Sequence, residues 1–113
     1  MMKLSLNAVI AEAKLTQYLL VWRDADDKSK FLEQAGYTLE NWQQLEADLR
    51  SQILPLEAAL SDEPNRFGDV YEIRGVLPGV NDVGLAVITI WMIEYETKVT
   101  KFITLYPDKE VRA

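Results

Sequence analysis

The sequence predicts an α+β domain, with N-terminal helices packed on one face of an antiparallel sheet of three to four strands. Three observations carry that prediction. Apolar residues recur at helical spacing through the first half of the chain and at alternating spacing through the second. A stretch of loop-forming composition, SDEPNRFGD at 61–69, divides the two halves. The C-terminal third, LAVITIWMIEY, then ET, then KVTKFITLYP, reads as a long β-hairpin rich in Val, Ile, Thr, Trp and Tyr. Helices in one run followed by strands in another is the order expected of an α+β domain.

Each element has a local reason. Residues 4–10 are short and mildly apolar, suited to an edge strand. Residues 11–22 show helical spacing, with Leu15, Tyr18, Leu19 and Trp22 on one face and Glu12 in the first turn, where it suits the helix dipole. After a charged loop at 23–27, Asp26 or Asp27 caps a second helix through Phe31, Leu32 and Ala35, which Gly36 stops. Thr38 suits the N-cap of a third helix, with Trp42, Leu45, Leu49 and Ile53 as its apolar stripe and Pro55 at its end. Residues 56–60 read as one more helical turn. Residues 70–77 alternate as a strand, 78–84 form a turn, and 108–113 read as a frayed tail.

The 113 residues suit a single domain spanning 1–113, with a helical half at about 8–60 and a sheet half at about 70–107. There is no cysteine and no histidine. Thiolate chemistry and the commonest general base and metal ligand are thereby excluded, and no cofactor or metal is called for. Asp24, Asp26 and Asp27 lack the glycine and terminal glutamate of a calcium loop. The net charge of −6 opposes non-specific binding to nucleic acid. Residues 1–63 carry 11 acids against 6 bases, whereas residues 64–113 carry 7 against 6, so the acid lies on the helical half. No segment approaches the roughly 20 apolar residues of a membrane span, and no signal peptide is evident, so no membrane partner is implied and a cytoplasmic location is expected.

Pairing the hairpin sorts its side chains. With Glu96 and Thr97 as the loop, Ile93 faces Thr100, Trp91 faces Phe102, Thr89 faces Thr104 and Val87 faces Tyr106. The aliphatic set Ile88, Ile90, Met92, Val99, Ile103 and Leu105 then forms the seat for the helices, joined by Tyr71, Ile73, Gly75 and Leu77. The opposite face collects Glu72, Arg74, Thr89, Trp91, Phe102, Thr104 and Tyr106, and a slip of one residue reverses every assignment.

Three readings of that second face stand open: a solvated sheet surface, an interaction surface for a homodimer or a cognate small protein, and a catalytic cleft. In the catalytic reading, RNA is cleaved without metal by its own 2′-OH. Glu72 is the base, Arg74 the phosphate clamp, Tyr106 or Lys28 the acid or second cation, and Thr104 a phosphate donor. Trp91 or Phe102 stacks a base, with Thr89 beside them. RNA is a partner only in this reading.

The order KLTQYLL (14–20), KSKFLEQAGYTLENWQQL (28–45), FGDVYEIRGVLPG (67–79), ITIWMIE (88–94) and KFITLYP (101–107) resembles an uncharacterised bacterial domain family. That family occurs as stand-alone small proteins, common in cyanobacteria, and as C-terminal modules of polymorphic-toxin-like proteins. The resemblance implies a place in a toxin–antitoxin or genetic-conflict system. The helices-then-sheet order and the closing Thr-x-Tyr-Pro are also similar to barnase-like and RelE-like toxin ribonucleases, which draws attention to Lys28, Thr104 and Tyr106. The chain departs from many such ribonucleases in its acidic charge and its lack of histidine.

Overall fold

The computed structural model of the chain describes residues 2–22, 28–63 and 65–109. Five antiparallel strands lie side by side in sequence order: β1 (Met2–Lys3), β2 (Glu57–Leu60), β3 (Gly68–Leu77), β4 (Leu85–Glu94) and β5 (Thr100–Pro107). Together with a few short helices they make the chain α+β. The sheet has five strands where three to four were expected, because two short segments join it. Residues 57–60, expected as a helical turn, bury only Ala58 and have no apolar stripe to hold a helix down. They pair instead with β3, Ala59 opposite Glu72 and Leu60 opposite Tyr71, and with β1 on their other side.

Helix α1 (Glu12–Lys14) widens into a π-helical turn at Leu15–Leu19, which buries Leu15 and Leu19. Trp22, expected on that buried face, is 61% exposed because the helix ends before it. Helix α2 (Ser29–Glu33) is followed by Gly36 at φ +84, a left-handed conformation that only glycine adopts without cost. The caps expected from Asp26 or Asp27 lie outside the described residues. Thr38 does cap the next helix: its N–H donates to Asn41 Oδ1 at 2.8 Å in a capping box. A 3₁₀ turn at Leu39–Asn41 leads into α3 (Trp42–Asp48) and a second π-helical turn at Leu49–Ile53.

Leu45, Leu49 and Ile53 are fully buried, as their spacing requires. Each contributes about 1.5–3 kcal/mol of apolar burial. Their helix lies directly on the inner face of the sheet. A Cβ on Gly75 would come within 2.7 Å of Leu56 Cδ1 and 2.8 Å of Ile53 Cδ1, so glycine there permits the close approach.

The N-terminal stretch reaches both edges of the sheet. Met2 and Lys3 pair with β2, while Val9 bridges to β5 in parallel: its N–H donates to Thr100 O at 2.8 Å and its carbonyl accepts from Phe102 N at 2.8 Å. Between them, Arg50 Nη1 donates to Ala8 O at 2.9 Å and Leu6 O at 3.3 Å, while Leu4, Ala8 and Ile10 are buried. The expected edge strand at 4–10 is thus a two-residue strand and one bridge, joined by a crossing segment.

The hairpin begins in the expected register, with Ile93 opposite Thr100 and Trp91 opposite Phe102. Its turn is longer than two residues. Lys98 takes φ +62, its N–H donates to Glu94 O at 2.9 Å, and Glu94 N–H donates to Val99 O at 3.0 Å. Beyond Trp91 the register slips by one, leaving Ile103 as the extra residue of a β-bulge. Thr104 then lies opposite Ile90, Leu105 opposite Thr89 and Tyr106 opposite Ile88.

Candidate functional site

The sheet's inner face holds the aromatic pair. Trp91, Phe102 and Thr89 are 0%, 1% and 0% exposed, so the set expected to meet a partner or stack a base belongs to the core. Trp91 and Phe102 meet edge to face, ring centres 5.2 Å apart at 69°. The polar atoms are satisfied internally. Thr89 Oγ1 donates to Ile73 O at 3.0 Å and accepts from Trp91 Nε1 at 2.7 Å. A threonine two residues before a tryptophan shares its strand face, and that spacing was the available signal that both could be buried together.

The aliphatic set expected under the helices divides. Leu105 is buried at the core, while Val99 is 40% exposed beside the turn. Ile88, Ile90 and Met92 face the other way, and Ile103 is the bulge. On this outer face they sit among longer side chains. One cross-strand row reads Glu72, Ile90, Thr104, and the next reads Arg74, Ile88, Tyr106. Strands lie ~4.8 Å apart, so charged residues on β3 face hydroxyls on β5 across an apolar floor about 10 Å wide.

The wall on β3 is ionic. Arg74 Nε lies 3.6 Å from Glu72 Oε1, and Arg74 Nη1 donates to both carboxylate oxygens of Asp108, at 3.1 and 3.2 Å. The Asp108 side chain is only 2% exposed against 46% for Arg74, so the buried carboxylate orients an arginine that still faces solvent. Asp108 was expected in a frayed tail. Instead its N–H donates to Ala86 O at 3.0 Å, extending the sheet by one bond.

The wall on β5 combines hydroxyls with a cation from the helical half. Lys28 Nζ donates to Thr104 Oγ1 at 3.1 Å and to Tyr18 OH at 3.2 Å, and lies 5.3 Å from the Tyr18 ring centre. The Tyr106 phenol is raised above its ordinary pKa, first by burial and next by the Glu72 carboxylate. Of the five residues assigned a catalytic role in the sequence, Glu72, Arg74, Thr104 and Tyr106 thus share one face, and Lys28 reaches Thr104 on it from the helical half. Asp108 and Tyr18 are the members that sequence reading left out.

Other features lie apart from this face. A cleft of about 510 Å³ is bordered by Leu20, Trp22, Glu33, Leu39 and Glu40 on the helical half and shares no residue with the outer face. Beside it, buried Tyr37 donates to Asp48 Oδ2 at 2.6 Å and accepts from Gly79 N at 3.0 Å, tying α3 to the β3–β4 turn. Among the described residues, no group of three or more acids is placed to hold a metal, and no helix is long and apolar enough to cross a membrane. Asp24, Asp26 and Asp27 lie outside them.

A family model described as a domain of unknown function (DUF6883) matches residues 3–109. No curated protein and no solved structure matches the chain.

Proposed function

For this chain, which belongs to the DUF6883 family of domains of unknown function, we propose metal-independent cleavage of an RNA phosphodiester on the outer face of the sheet. The observation that carries the proposal is the bulge at Ile103, which brings Thr104 and Tyr106 onto the face that already holds Glu72 and Arg74. Glu72 takes the proton of the ribose 2′-OH, and the 2′-oxygen attacks phosphorus. The bond from phosphorus to the 5′-oxygen breaks, and that oxygen takes the proton of Tyr106. The products are a 2′,3′-cyclic phosphate and a 5′-hydroxyl. Arg74, aimed by Asp108, binds the phosphate oxygens as charge builds on them.

The acid role of Tyr106 is supported by its place: its hydroxyl belongs to the row of Arg74 and Ile88, next to the row of Glu72. The closing Thr-x-Tyr-Pro and the helices-then-sheet order, similar to toxin ribonucleases, support a place in a bacterial toxin–antitoxin or genetic-conflict system acting in the cytoplasm. The test is incubation of an RNA oligonucleotide with the protein and excess chelator. Cleavage leaving a cyclic phosphate is expected, and Glu72→Ala with Arg74→Ala should abolish it. Cleavage by that double variant at the wild-type rate would sink the assignment.

A further inference from the structure

The outer face has two cationic poles, and among the described residues one of them has no carboxylate partner. Arg74 is matched by Glu72 and Asp108. Lys28 sits on the opposite side of the apolar floor, held by two hydroxyls and an aromatic ring. Among the described residues no carboxylate pairs with it. An ammonium has three donors, and Thr104 and Tyr18 take two of them. Among the described residues this part-buried cation is held by neutral groups and keeps a donor to spare, which suits an anion that comes from outside.

We propose that Lys28, positioned by Tyr18 and Thr104, is a second phosphate subsite. The ligand is then a single RNA strand contributing two phosphates, the scissile one at Arg74 and a neighbouring one at Lys28, with the sugar between them over the half-buried Ile90. This rests on the reading of the outer face as an RNA-cleaving site. The separation supports it: the poles rise from β3 and from beside β5, about two strand spacings or ~10 Å apart, which a lone phosphate does not span. The overall charge of −6 fits the same conclusion, because it disfavours tracking a long polyanion and leaves recognition to a few placed contacts.

The test uses a 2′-deoxy dinucleoside monophosphate, which cannot be cleaved, with and without an added phosphate on its 5′ or 3′ end. In the wild-type protein one of the two end phosphates should tighten binding about tenfold, the scale of one charge-assisted contact. The gain should vanish in Lys28→Ala and persist in Lys28→Arg. An equal gain in Lys28→Ala, or no gain from either end phosphate, overturns the subsite. The ribose forms of the same compounds separate the two ideas. A Lys28-dependent gain in binding without cleavage leaves the subsite standing and removes the ribonuclease. Cleavage with no Lys28-dependent gain does the reverse.

Discussion

The two faces of the sheet hold similar inventories of polar and apolar groups and use them in opposite ways. The inner face buries a threonine and a tryptophan, and the outer face presents isoleucines beneath charged side chains. Aliphatic content therefore does not identify the core side. What separates the faces is whether the polar groups are neutral and satisfied inside the core or carry full charges. Thr89 serves both Ile73 O and Trp91 Nε1, so nothing polar on that row needs water. Glu72, Arg74 and Lys28 carry full charges on long side chains, and burying them would cost several kcal/mol each.

The contrast can be broken most severely at Trp91. Trp91→Ala should cost about 3–5 kcal/mol by urea denaturation, through the cavity left against Phe102. Thr89→Val keeps the shape but orphans the indole N–H, so a loss of about 1–3 kcal/mol is expected by the same measurement. A neutral result would mean that packing alone, and not satisfaction, holds the inner face.

Alkali compares a buried phenol with an outer one. Burial first, and then the hydrogen bond to Asp48, raise the Tyr37 pKa above its ordinary 10.0. The unfolded chain loses that proton before the folded chain does, so the stability it contributes is whole below pH 10.0 and falls as pH rises beyond it. Tyr37→Phe should remove more of this alkaline decline than Tyr106→Phe, since Tyr37 is 1% exposed and Tyr106 37%. Equal effects in thermal melts between pH 9 and 11 would place the two phenols in equivalent surroundings. The smallest stability change belongs to the outer face itself. Glu72→Gln should shift stability by no more than about 0.5 kcal/mol while lowering RNA cleavage by about 10²-fold or more.

Much of the architecture was legible in the sequence. The order of helices and strands, the Gly36 stop, the Thr38 cap and the starting register of the hairpin all follow from local rules. The misplacements have particular causes. Residues 57–60 form a strand because an edge of β3 was available, which no local pattern announces. The inner and outer sets of β4 were exchanged because an all-aliphatic row looked like the better core. Thr104 and Tyr106 were nonetheless assigned to the face with Glu72 and Arg74. The exchange of faces and the unforeseen bulge at Ile103 compensate for one another at those two positions. Asp108 was not foreseen because Arg74 is 34 residues away, and Tyr18 because its helical spacing placed it in an apolar stripe.

The segment from Met2 to Ile10 carries a consequence for how the molecule comes together. Its residues leave the ribosome well before Thr100 and Phe102, yet those are the residues that pair with Val9. The contact spans most of the chain, so its loop-closure entropy favours late formation. Until it forms, β5 offers an unpaired edge to any neighbouring strand. The Val9 bridge thus closes the start of the β5 edge, at Thr100 and Phe102, with a contact that spans most of the chain.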